Sequence, residues 1–185
     1  MIFSRRRLLA VLFVGLLVSI GLSGVATAAE PKKADAVTLK AAYVFNFIRF
    51  TEWPEAPEPA PSKGLVLQVV GDDDLYEVLH SLAHREAARS VGLSVDTCTA
   101  DACLAEADAV FLGQSSAGYE STLQALKGLP VLTISDVPGF ASHGGMIEIR
   151  YQDKKLTFIV NRDAVARAGL YISAQLLQLG EVVGE

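Results

Sequence analysis

The chain has 185 residues, with 16 Lys and Arg against 21 Asp and Glu, a formal charge of −5 and only two cysteines. That acidic surplus argues against nucleic-acid binding, because gripping phosphates takes clustered Lys and Arg. The length suits a single domain with its own core.

The N-terminus reads as an export signal. Arg5, Arg6 and Arg7 form a basic start, Leu8 to Leu22 is apolar, and Ala26-Thr27-Ala28 supplies the small residues a signal peptidase reads. Cleavage is expected after Ala28, dividing the chain into a signal (1–28) and a mature domain (29–185). The rival reading is an uncleaved anchor. Against it, the apolar stretch is short, Gly15, Gly21 and Gly24 interrupt it, and no stop-transfer charge cluster follows. No cysteine lies near the cleavage site for lipid attachment. Ser4-Arg5-Arg6 partly imitates a twin-arginine signal, but a basic start suits the general secretory route as well. Loss of the three arginines takes the formal charge from −5 to −8.

Leu39 to Pro54, LKAAYVFNFIRFTEWP, predicts a helix carrying Tyr43, Phe45, Phe47, Phe50 and Trp53, stopped by Pro54. A helix this apolar must be covered by its own domain or by a partner. Arg49 is a charge set among these aromatics. It either snorkels from a buried face or belongs to an interface rich in aromatic and arginine side chains. Tyr43, Asn46, Phe47, Arg49, Phe50 and Trp53 are therefore the candidate partner or dimer contacts.

Pro54 to Ser62 holds four prolines in nine residues and reads as an extended loop. Strand and helix signals then alternate. Leu65–Val70 is a strand, and Leu75 to Ala83 a helix capped by the Asp72-Asp73-Asp74 cluster. Val91–Val95 is a strand, Ala100–Ala107 a short helix, Ala109–Leu112 a buried strand, Tyr119–Leu126 a helix and Pro130–Ile134 a strand. Gly145–Tyr151 and Leu156–Val160 form a hairpin. Asn161 caps a helix reaching Ala168, and Ser173 caps a last helix carrying Leu176, Leu177, Leu179 and Val182. The predicted fold is α/β: a single three-layer domain, its mostly parallel sheet flanked by helices, with a C-terminal β-hairpin and closing helices.

Cys98 and Cys103 are the two cysteines. In an oxidising compartment they can form a disulfide that fixes a local turn, or remain thiols if strand and helix hold them apart. Neither a metal set nor a C-x-x-C redox motif fits their spacing. Ser135, Asp136 and His143 are triad residue types without a nucleophile elbow, and Ser135-Asp136 reads more simply as a turn. Glu77, His80 and His84 share one helix face, opposite the apolar stripe. Two histidines four apart can share a metal, but no third ligand is identifiable, so the face reads as solvated. The Gly71-Asp72-Asp73-Asp74 turn lacks the glycine fingerprint and repels phosphate. Ligands of open α/β sheets sit beyond the carboxyl ends of the strands. Asp72, Ser115, Ser135, Asp136, His143 and Asn161 are accordingly the candidate pocket residues, on fold analogy alone.

Ala41, Ala42, Tyr43, Asn46, Phe47, Phe50, Trp53 and Pro54 stand as an AAYxxNFxxFxxWP pattern. With LTISDVPGFASHGGMIEI, LTFIVN and ARAGLYISAQLLQLG further on, the chain resembles the YfiR family over nearly all of its mature length. The resemblance implies a soluble periplasmic protein, without enzymatic activity or cofactor. Such a protein binds the periplasmic part of a membrane diguanylate cyclase and keeps cyclic di-GMP, and with it biofilm formation, low. Homodimerisation is the accompanying expectation. The other reading is a small-molecule sensor working with another inner-membrane receptor such as a sensor kinase. The chain departs from the family in lacking a cysteine pair in its C-terminal half, so redox control through such bridges is not carried over.

Overall fold

This computed structural model describes residues 30–54, 64–85, 92–98, 104–116, 118–152 and 155–184. The predicted signal, most of the proline-rich loop, Val91, Ala100 to Cys103 and the tip of the hairpin fall outside these residues. Residues 1–32 and 33–185 are separate units, and only the backbone of residues 30–32 is described in the first. The sheets and the helices packed on them belong to the second.

Helix α1 (Glu30–Arg49) runs into a short strand, β1 (Thr51–Glu52). Its spacing explains its placement: Ala41, Val44, Phe45, Phe47 and Ile48 are all buried, while Thr38, Ala42 and Arg49 face water. Strand β2 (Val66–Val70) leads through Asp72 into α2 (Asp73–Ala83). The Asp72 side chain accepts a hydrogen bond from the backbone N–H of Leu75 at 3.0 Å, so the aspartate cluster does cap this helix. There follow β3 (Ser94–Thr97), β4 (Ala109–Leu112), α3 (Tyr119–Ala125), β5 (Leu132–Ser135) and the hairpin β6 (Ile147–Gln152) and β7 (Lys155–Asn161).

Among the described residues the main sheet has seven strands in the order β3-β2-β4-β5-β6-β7-β9, where β9 is Glu181–Val183. The first five are mutually parallel; β7 pairs antiparallel with β6, and β9 parallel with β7. Leu67, Val69, Phe111 and Ile134 turn toward α1 and α2, and Val110 and Leu112 toward Leu126 and Phe140 on the other face. This is the expected three-layer α/β arrangement, with a mixed but mostly parallel sheet.

The C-terminal end departs from expectation. Asn161 caps α4 (Arg162–Arg167), accepting from the Ala164 N–H at 3.0 Å, and Ser173 caps α5 (Ala174–Leu177). Helix α5 stops there, however, and Val182 lies in β9, opposite Val160, rather than in a helix. Gly180 permits this return, because a Cβ there would run into the Phe158 ring. Two strand predictions also sit a few residues early: the observed elements are Ser94–Thr97 and Leu132–Ser135. Of the predicted helix over Ala100–Ala107, the described part is helical at residues 104 and 105.

A two-stranded sheet lies apart, formed by β1 and β8 (Tyr171–Ile172), which no sequence alternation announces. It fastens the far end of α1. The Thr51 hydroxyl donates to the Phe47 carbonyl at 2.7 Å, and the Ser173 N–H donates to the Phe50 carbonyl at 2.9 Å. Trp53 Nε1 donates to the Asp108 carbonyl just before β4, at 3.1 Å.

Candidate functional site

Consecutive strands leave β2 in opposite directions, β3 on one side and β4 on the other, so the topological switch lies between β2 and β4. In many open α/β domains a ligand enters there. Here Gly71 and Gly113, at the two carboxyl ends, come into such close contact that a Cβ on Gly113 would meet the Gly71 carbonyl oxygen at 2.5 Å. The Ser116 hydroxyl seals the same corner by donating to the Val70 carbonyl at 2.9 Å. The crevice is thus closed by backbone, leaving a shallow acidic groove along Asp72, Asp73, Asp74 and Ser115.

Beside it stands a residue that aromatic patterning does not single out. Lys40 lies four residues before Val44 and seven before Phe47, on the face of α1 that meets the sheet. Its Nζ donates to Asp72 Oδ2 at 2.8 Å and to Asp136 Oδ2 at 2.6 Å, and sits 5.6 Å from the centroid of the Phe111 ring. All three charged side chains are more than four-fifths buried. Burial pulls the lysine pKa down, but hydrogen bonds and charge from Asp136 and Asp72 outweigh it, and the net shift is upward. A cluster of two carboxylates and one ammonium therefore ties α1 to the ends of β2 and β5. Asp136 Oδ1 is buried and has no hydrogen-bond partner among the described residues.

A second charged cluster organises the loop after β5. Glu148, 1% exposed on β6, accepts from the backbone N–H groups of Gly139 (3.1 Å) and Ala141 (3.0 Å) and from Arg150 Nε (2.8 Å). Burial raises its pKa, but Arg150 and the two backbone donors more than reverse that, and the carboxyl is held below its ordinary value. The sequence signal was available: a glutamate and an arginine two apart on one strand share a face.

The predicted pocket residues do not converge on one site. The Ser135 hydroxyl donates to the Leu112 carbonyl at 2.6 Å and accepts from the Val137 N–H at 3.0 Å, so Ser135 rather than Asp136 bonds the backbone that follows. His143 Nδ1 lies 2.7 Å from the Gly139 carbonyl and donates to it. Asn161 uses its second side-chain atom as well, Nδ2 donating to the Ala141 carbonyl at 2.8 Å. Asp72 and Asp136 do come together, through Lys40. Ser115 is exposed at the groove edge. His143 instead borders a cavity of about 300 Å³ between α3 and α4, with Lys127, Arg167 and Thr133.

The candidate interface residues divide sharply. Phe47 is wholly buried, its ring 4.9 Å from that of Phe158, and belongs to the core. Tyr43, half-buried, donates its hydroxyl to the Leu156 carbonyl at 3.3 Å. Asn46, Phe50 and Trp53 are also half-buried. Arg49 is exposed, its guanidinium carbon 5.8 Å from the Phe50 ring centroid. Cys98 is buried just past β3, and Cys103 lies outside the described residues.

Fold and site define an α/β domain whose strand-end polar groups are engaged in holding its own backbone and first helix. The model of the YfiR/HmsC-like family matches residues 37–181, and the chain belongs to that family. No curated protein matches it in sequence. Among solved structures it is similar to the ABC domain in complex with L-Trp from Streptococcus pneumonia, at a TM-score of 0.53 and 11% identity, over 77% of this chain and 60% of that one. A conserved domain protein from Vibrio cholerae O1 biovar El Tor gives 0.53 and 11%, over 80% of this chain and 60% of its own. The chain thus spans about 60% of each, and at such identity the likeness concerns the fold. No helix among the described residues is long and apolar enough to cross a membrane.

Proposed function

We propose that this protein is an exported, non-enzymatic regulator that binds the periplasmic part of a membrane diguanylate cyclase and holds it inactive. The observation that carries this reading is the family match over residues 37–181. The site is compatible with it. Ser135, His143 and Asn161 all spend hydrogen-bonding capacity on the backbone, and the Lys40 cluster fixes a helix rather than presenting a reactive group. On this reading the partner meets the solvent edge of α1, where Arg49, Phe50, Tyr43, Asn46 and Trp53 remain at least partly accessible. Phe47 acts from beneath, by supporting that surface. A homodimer using the same edge, cleavage after Ala28 and a Cys98–Cys103 disulfide complete the proposal.

The deciding experiment deletes the gene in a strain that expresses a candidate membrane diguanylate cyclase and measures cyclic di-GMP. A rise, reversed by restoring the gene, is expected. An unchanged level ends the reading for that target. The cavity beside His143 favours a second reading, a sensor of small molecules working with another membrane receptor: Lys127 and Arg167 in its lining, against the single carboxylate of Glu120, suit a carboxylate. Calorimetric titration with small carboxylates, compared with a Lys127→Ala, Arg167→Ala variant, separates that reading from the first.

A further inference from the structure

Helix α2 carries a ladder of rings on its outer side. Tyr76, His80 and His84 are spaced four apart, so they stack one above the next. The Tyr76 and His80 ring centroids are 5.5 Å apart, and those of His80 and His84 are 4.6 Å apart. Tyr76 packs against the core and so backs His80 from below. His84 is the C-cap of the helix, its backbone N–H bound to the Leu82 carbonyl. Both histidines are therefore attached to well-fixed backbone.

The imidazoles face each other through like atoms, with His80 Nε2 and His84 Nε2 3.4 Å apart. Imidazole nitrogens bind zinc at about 2.0–2.1 Å, and two such bonds opened at a tetrahedral angle span roughly 3.4 Å. The nitrogens thus already stand at the bite of a tetrahedral ion. Without metal, one Nε2–H can donate to the other nitrogen. An ion takes the place of that proton once the donor imidazole carries its hydrogen on Nδ1 instead. The location also suits a cation, because the ladder ends where the helix presents its unpaired carbonyls and its negative pole.

We propose that His80 and His84 form a two-point chelate for a divalent transition-metal ion, zinc or copper, on the surface of α2. Imidazole pairs suit these ions rather than magnesium or calcium, which require oxygen ligands. Among the described residues no group of three or more His, Cys, Asp or Glu is arranged to hold a metal, so within them two coordination positions stay open to water or to a further ligand. The site is of the open kind, unlike the closed four-ligand set of a structural zinc.

The test is a titration of tag-free protein, purified without a metal-affinity step, with zinc alone and then copper alone, against a chromogenic chelator. Wild type is expected to take one ion per chain, with an X-ray absorption spectrum showing two imidazole ligands. Changes in a metal's outer shell already cost about tenfold in affinity, so removing a ligand should cost more. Accordingly, His84→Gln and His80→Ala should each weaken binding by at least that factor while circular dichroism stays unchanged. His84 is exposed, so His84→Gln keeps the test meaningful even if the half-buried His80 proves to matter for folding. Equal affinity in wild type and in the His80→Ala, His84→Gln double variant overturns the proposal, as does an absorption spectrum without imidazole.

Discussion

Lys40 and Asp136 stand 96 residues apart in sequence and 2.6 Å apart in space. The lysine belongs to the first helix and the aspartate to the end of the fourth parallel strand, and Asp72 accepts from the same ammonium. Breaking a buried pair by removing one partner costs about 3–5 kcal/mol, because the charge left behind has neither water nor a counterion. Lys40→Met strands two carboxylates and is expected to lower the unfolding free energy by about that amount. Asp136→Asn should cost less, since Lys40 keeps Asp72. Urea titrations of both variants check the order, and a Lys40→Met protein as stable as wild type would contradict the cluster's role.

Acid should act through Glu148. Its folded pKa lies below the ordinary carboxyl value of 4.5, so its contribution is complete above that pH and is lost as pH falls through the folded value. Lys40 has the opposite sign. Its folded pKa lies above 10.5, so its contribution is whole below that pH and disappears as pH rises through the folded value. Stability measured against pH should therefore fall at both extremes. Glu148→Gln should flatten the acid limb and leave the alkaline limb alone. An unchanged acid slope in that variant counts against the assignment.

Two substitutions on one helix should give opposite phenotypes. Phe47→Ala removes a wholly buried ring and is expected to cost about 3–5 kcal/mol. Arg49→Ala should stay folded, with a melting temperature close to wild type, because the side chain is exposed. It should nevertheless weaken self-association or restraint of the cyclase and raise cyclic di-GMP in cells. Light scattering and a cyclic di-GMP reporter read the two effects. A folded Arg49→Ala protein normal in both assays removes Arg49 from the proposed interface.

Maturation can be checked directly. Mass spectrometry of the periplasmic fraction should find an N-terminus at Ala29, and non-reducing peptide maps should recover Cys98 linked to Cys103. Intact chain in the inner membrane refutes the first expectation. Full alkylation of both thiols in fresh protein refutes the second.

Much of the architecture was legible because local signals agree with it. The buried run at Ala109–Leu112, the aspartates before Leu75, and Asn161 before Ala164 each mark an element whose causes are local. The end of the chain was not legible, because Leu179 and Val182 continue a helical spacing that the sheet edge overrides. Val182 gains strand pairing with β7, and Gly180 lets the chain turn there. The site was harder still. Lys40 resembles any solvated lysine until Asp72 and Asp136 are brought to it from distant segments. Ser135, His143 and Asn161 drew notice by residue type, and their bonds to the backbone are visible only in three dimensions.

The fastening of α1 at its middle and at its far end bears on how the chain folds. The helix precedes every strand of both sheets in the chain, yet several of its partners come late: Asp136 holds Lys40, Leu156 holds Tyr43, and Ser173 holds Phe50 just beyond the helix. Until those late segments are made, Phe47 lacks the Phe158 ring it packs against, and the cover over α1 is incomplete. Contacts this distant in sequence also make folding slow, and exposed apolar segments invite association in the meantime. On the export reading proposed above, such a delay would keep the chain open until its last segments have arrived.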